Sequence, residues 1–112
     1  MHRLYELHAR MCRIFTSPKR LEIINLLRNQ ELSVSDIMKL SKMNQANVSQ
    51  HLCLLKEEDI VRTRRDGVKI YYSLATPKMI EAFDIMREIL LDKIAKTEKL
   101  SRDVRRARKE RT

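Results

Sequence analysis

Ser33 to Lys56, SVSDIMKLSKMNQANVSQHLCLLK, reads as two short helices joined by a tight turn. Ser33 is placed as an N-cap, and Asp36 three residues on gives an imperfect capping box. Val34, Ile37, Met38 and Leu40 supply the apolar positions of the first helix. Ser41-Lys42-Met43 breaks the pattern, and Asn44 can cap the second helix. There Val48, Leu52 and Leu55 fall at i, i+4 and i+7, a single narrow stripe for burial. The opposite face carries Ala46, Ser49, Gln50 and Cys53, with Gln45 and Asn47 in the first turn. A solvated helix face in so charged a chain would carry Lys and Glu. A face of Gln, Asn, Ser and Ala instead suits the edges of base pairs in a major groove.

Outward from this stretch, the composition supports a nucleic-acid partner. The chain has 112 residues, enough for one domain with a modest core. Aromatics make up only 4%, so the core must come from Leu, Ile, Val and Met, and the formal charge of +9 favours a polyanion. The basic residues do not lie opposite an aromatic-rich apolar face, which argues against a membrane surface. Neither a leader-like apolar run at Met1-His2-Arg3 nor a bilayer-length apolar stretch is present, and two distant cysteines make no disulfide framework. A cytoplasmic protein is expected.

On the N-terminal side, residues 2 to 15 read as a helix. One of its stripes is Leu4, Leu7, Met11 and Ile14, and beside it run Tyr5, His8, Cys12 and Phe15. Ser17-Pro18 restarts the chain as N-cap and first helical residue. The helix that follows is expected to reach about Asn29, burying Leu21, Ile24 and Leu27 with Ile23 beside them.

On the C-terminal side, Ile60 to Arg64 and Val68 to Leu74 favour strands, and Arg65-Asp66-Gly67 between them signals a hairpin. It holds the chain's one glycine, where positive φ is needed. Arg62, Arg64, Arg65 and Lys69 gather around its tip. Directly after a helix-turn-helix, such a basic hairpin reads as a wing that reaches phosphates or the adjacent minor groove. The fold class is therefore mainly α with a small β-hairpin, a winged helix-turn-helix of order α-α-α-α-β-β-α.

Pro77 opens a long last helix whose apolar residues, from Ile80 through Phe83, Met86 and Leu90 to Ile94, wrap more than half its circumference. A helix apolar on two sides is buried on two sides. The first helix has the same surplus, so a homodimer through the first and last helices is expected. Residues 1–100 then form the DNA-binding and dimerisation domain. Residues 101–112 form a basic tail, with Arg102, Arg105, Arg106, Arg108, Lys109 and Arg111 against Asp103 and Glu110.

Four segments together carry a resemblance to a known family: Pro18 to Ile24, Glu31 to Ile37, Asn47-Val48-Ser49-Gln50-His51-Leu52, and Val68 to Tyr72. Over roughly residues 10 to 95 the chain resembles the ArsR/SmtB winged-helix repressors. The resemblance implies a dimeric prokaryotic regulator that binds an inverted-repeat operator and releases it when an inducer binds. Where members that sense thiophilic metals carry Cys-Val-Cys, this chain has Ser33 and Ser35, poor ligands for soft metals. The last helix has no His to join Asp84, Glu88 and Asp92, and neither it nor the second helix has a Cys for persulfide sensing. No cofactor is expected. His8 and Cys12, at i and i+4, keep a spacing that can bind a metal, though a buried Cys and a rim His explain them as well. Cys53 on the recognition helix, and Cys12, are the candidate redox positions.

The expected base-reading residues are Gln45, Ala46, Asn47, Ser49 and Gln50. Lys39, Lys42, His51, Arg62, Arg64, Arg65 and Lys69 are expected at phosphates or the minor groove. An enzyme is not expected: His51 and Cys53 at i, i+2 point apart and no Gly-rich oxyanion turn exists. The alternative is a winged-helix scaffold for protein partners, without specific DNA binding.

Overall fold

The computed structural model describes residues 1–110, in two compact units divided after Pro77. The first unit holds helices α1 (His2–Ile14), α2 (Pro18–Leu26), α3 (Val34–Ser41) and α4 (Gln45–Glu57). It also holds strands β1 (Leu32–Ser33), β2 (Val61–Asp66) and β3 (Lys69–Leu74). The second unit contains α5 (Lys78–Glu110). The expected winged helix-turn-helix is present, with one strand that the sequence did not announce. Leu32 and Ser33 pair antiparallel with Tyr72 and Tyr71, giving a three-stranded sheet of order β1-β3-β2.

The helix ends follow local chemistry. Ser17 Oγ accepts from the Arg20 amide and Pro18 occupies the first helical position of α2. That helix stops at Leu26, short of Asn29, which sits in the left-handed region with φ 55°. The capping box of α3 is complete, because aspartate is long enough here. The Asp36 amide donates to Ser33 Oγ at 3.2 Å, and Asp36 Oδ2 accepts from the Ser33 amide at 3.0 Å. Lys42 ends α3 with φ 62°, and its amide bonds Met38 O at 2.9 Å, an αL cap made without glycine. Ser41 Oγ stitches the turn, donating to Ile37 O and accepting from the Met43 amide. Asn44 Oδ1 then caps α4 through the Asn47 amide at 2.8 Å.

The core is aliphatic. Val48, Leu52 and Leu55 of α4, Ile37 of α3, and Ile23 and Ile24 of α2 are all almost wholly buried. Ile23 is a full core member, whereas Leu21, expected inside, is only half-buried. Ile60, Val61 and Leu74 close the root of the hairpin, and the Ala75 amide bonds Ile60 O at 2.9 Å. The hairpin loop is shorter and later than the expected Arg65-Asp66-Gly67. Asp66 pairs with Lys69 as the last rung, so the two-residue loop is Gly67-Val68, with Gly67 at φ 63°.

In the second unit, α5 runs unbroken for 33 residues, about 50 Å at 1.5 Å per residue. The helix continues through Arg102, Arg105, Arg106, Arg108 and Lys109 to Glu110, and Arg111 lies outside the described residues. None of its side chains is fully buried within the single chain.

Candidate nucleic-acid interface

The buried stripe of α4 fixes which side chains the helix turns outward. With Val48, Leu52 and Leu55 inside, Gln45, Ala46, Ser49, Gln50 and Cys53 are exposed, and no charged residue interrupts them before Lys56. Asn47 departs from the expected group. It shares a half-buried flank with His51 and Leu54, at i, i+4 and i+7, beside the outward face. Of the five residues expected to read bases, Gln45, Ala46, Ser49 and Gln50 are the exposed ones. Lys39, in the last turn of α3, and Lys42 at its cap are both exposed.

His51 has its Nδ1 buried with no hydrogen-bond partner, which leaves only Nε2 for any phosphate. Burial pushes the imidazole below its usual range, and the charges of Arg20 and Lys19 push it further the same way. In the free protein these causes favour the neutral ring.

The register of the hairpin divides the basic residues that sequence order places together. Arg62, Arg64 and Lys69 share one face with Ser73 and Tyr71, while Arg65 lies on the other with Ile70 and Thr63. Arg62, Arg65 and Lys69 are exposed. Arg64 is tied into the protein: its Nε donates to both carboxylate oxygens of Glu31, at 2.9 and 3.2 Å, and its guanidinium lies 5.0 Å above the Tyr71 ring. That hydrogen bond holds the Glu31 carboxyl below the usual carboxylate range. Sequence reasoning missed Glu31. The two residues lie 33 positions apart and meet only because β3 pairs with both β1 and β2.

The two cysteines are both exposed and unbridged. Cys53 Sγ donates to Glu57 Oε1 at 3.7 Å, which places a carboxylate beside the thiol. Cys12 and His8 lie on exposed turns of α1. Among the described residues, no cluster of three or more His, Cys, Asp or Glu side chains comes together as a metal site.

A buried-stripe helix with an uncharged outer face, preceded by a capped short helix and followed by a basic hairpin, defines a winged helix-turn-helix protein. Comparison with known proteins makes the class particular. The profile of the bacterial regulatory protein, arsR family, matches residues 17–63, from the α2 cap into β2. The transcriptional repressor PagR of Bacillus anthracis is 36% identical over 72 residues, which cover 63% of this chain and 72% of that protein. The crystal structure of Rv0081 from Mycobacterium tuberculosis superposes with a TM-score of 0.76 at 30% identity, over 82% of this chain and 93% of that one. A homodimeric winged helix-turn-helix DNA-binding domain from Mycobacterium bovis, described as a possible ArsR-family transcriptional regulator, gives 0.72 at 28% identity, over 80% and 82%. The chain belongs to the ArsR family, and is a winged helix-turn-helix transcription regulator, not an enzyme.

Proposed function

We propose that the protein is a homodimeric, sequence-specific repressor that binds an inverted-repeat operator in the cytoplasm. The observation that carries specific reading is the outer face of α4, where Gln45, Ala46, Ser49 and Gln50 are exposed on a helix anchored by three buried residues. Glutamine offers paired donor and acceptor groups to adenine, and Ala46 offers a methyl to thymine. Lys39, Lys42, Arg62, Arg65 and Lys69 add phosphate or minor-groove contacts, with Arg64 in a braced position and Asn47 and the Nε2 of His51 at the margin.

Two facts support a second copy. Leu4, Tyr5, Leu7 and Met11 of α1 are 46–65% exposed, and Ile85, Met86, Ile89, Leu90, Leu91 and Ile94 of α5 are 45–68% exposed. A monomer seldom leaves so many large apolar side chains of a single helix in water. The relative from Mycobacterium bovis is itself homodimeric. In this reading residues 1–100 fold, pair and read DNA, and the basic stretch 101–112 adds positive charge to the same assembly. No helix among the described residues is long and apolar enough to cross a membrane. Repression is supported by the kinship with PagR, a named repressor.

The test is selection of a binding site from a pool of random duplexes, followed by affinity measurements against salt. A two-fold symmetric consensus with half-sites about one or two DNA turns apart is expected. Equal affinity for selected and random duplexes would overturn specific reading and favour the scaffold.

A further inference from the structure

Arg64 is the one wing arginine with a brace. It stands on β2 opposite Tyr71 of β3, and β3 pairs on its other side with β1, directly after Glu31. One side chain therefore crosses the sheet. The guanidinium lies on the Tyr71 ring while Nε is held by both Glu31 oxygens. The described structure gives its Nη1 and Nη2 groups no protein acceptor; no hydrogen bond or ion pair holds Arg62 or Arg65, although the Arg62 charge also acts on Glu31. The pair is half-exposed on both sides, 53% for Arg64 and 41% for Glu31. Exposed pairs of this kind add little to stability.

We propose that Glu31 is a specificity-determining residue of the DNA-binding surface. It aims the Arg64 fork at one backbone phosphate and cancels the arginine's charge toward every other. This rests on the DNA-binding reading above. From a distance the Glu31–Arg64 pair is nearly neutral, so it contributes little to the counterion-release attraction that any duplex exerts on a free cation. At contact the position reverses. A guanidinium already stacked and held through Nε presents two parallel Nη donors with little further ordering to do, the geometry suited to bidentate phosphate binding. A correctly docked site gains this contact, and an arbitrary duplex gains little. Arg65, unbraced, attracts both alike, and Arg62 feels Glu31 only through its field, the weakest of the influences on that carboxylate.

The experiment compares wild type, Glu31→Gln, Arg64→Gln and the double variant. The probes are the duplex selected by wild type and a scrambled duplex, across a salt series. Glu31→Gln is expected to bind the scrambled duplex about three- to tenfold tighter at low salt, with a salt slope steeper by about one per protomer. The ratio of selected to scrambled affinity should fall by a similar factor. In the Arg64→Gln background the same change should have a smaller effect, because only the weaker field on Arg62 is then left to unmask. An equal gain in both backgrounds would show that Glu31 acts only as a nearby negative charge, and would overturn the proposal. Unchanged scrambled affinity with a lowered melting temperature would reduce the pair to a structural tie and overturn it too. If wild type itself shows no preference for its selected duplex, the DNA-binding reading fails first, and this proposal falls with it.

Discussion

Helix α4 and the β2–β3 hairpin are adjacent in sequence, yet they are built on opposite plans. The helix is rooted along its whole length by Val48, Leu52 and Leu55, and its outer face carries no charge until Lys56. The hairpin buries side chains fully only at its base, Val61 and Leu74, and beyond Val61 β2 is exposed. Reading bases requires side chains held to a fraction of an ångström, because hydrogen bonds to base edges weaken steeply with misalignment. Holding phosphates requires charge within reach, and tolerates motion. Rigidity and neutrality go together in one element, exposure and charge in the other. The Glu31–Arg64–Tyr71 arrangement is the exception, a held cation on the exposed plan.

This contrast can be broken at its root. Leu52→Ala should cost about 2–5 kcal/mol of stability, since it leaves a cavity under the reading face. Val68→Ala at the fully exposed hairpin tip should cost almost nothing. Chemical denaturation at one fixed protomer concentration makes the comparison. On the reading side, Gln50→Ala should lose about 1–3 kcal/mol on the selected duplex and little on a scrambled one. Equal losses on both would remove Gln50 from the base-reading set. Asn44→Ala, which removes the cap of α4, should cost about 1 kcal/mol of stability. It should blunt specific more than general binding, because it loosens the first turn where Gln45 and Ala46 sit. Arg65→Ala on the wing should weaken all duplexes alike, by under about 1 kcal/mol, and lower the salt slope by about one per protomer.

The smallest effect is set by pH. His51 is held below its ordinary value of 6.5, so the unfolded chain takes up a proton before the folded one does. Stability from this site is complete above about pH 6.5 and is lost as the pH falls from there toward the folded value. Denaturation midpoints measured from pH 7.5 to 5 should decline more in wild type than in His51→Gln. A parallel decline in both would remove His51 as the cause.

What the sequence made legible was local. The Ser33–Asp36 box, the Ser41–Asn44 turn, the α4 stripe and the single glycine at positive φ are each contained within a few residues, and all appear in the structure. What it hid was set by distant pairing. A strand of two residues has no periodicity to detect, and Leu32–Ser33 is a strand only because Tyr71 and Tyr72 lie beside it. The shorter, later hairpin loop follows from the Asp66·Lys69 rung, and the brace on Arg64 comes from a residue before α3. Asn47 looked like part of the outward face because the first turn of a helix shows little of its own periodicity. The flank it shares with His51 and Leu54 places it otherwise.

The ring beneath Arg64 also makes the wing optically visible. The chain has no tryptophan and three tyrosines, so its ultraviolet emission comes from Tyr5, Tyr71 and Tyr72, two of them neighbours on β3. Tyr5→Phe would leave a fluorophore pair confined to the hairpin, with a guanidinium resting on one ring. Emission and anisotropy of that variant would follow the wing alone through a titration, with no label attached.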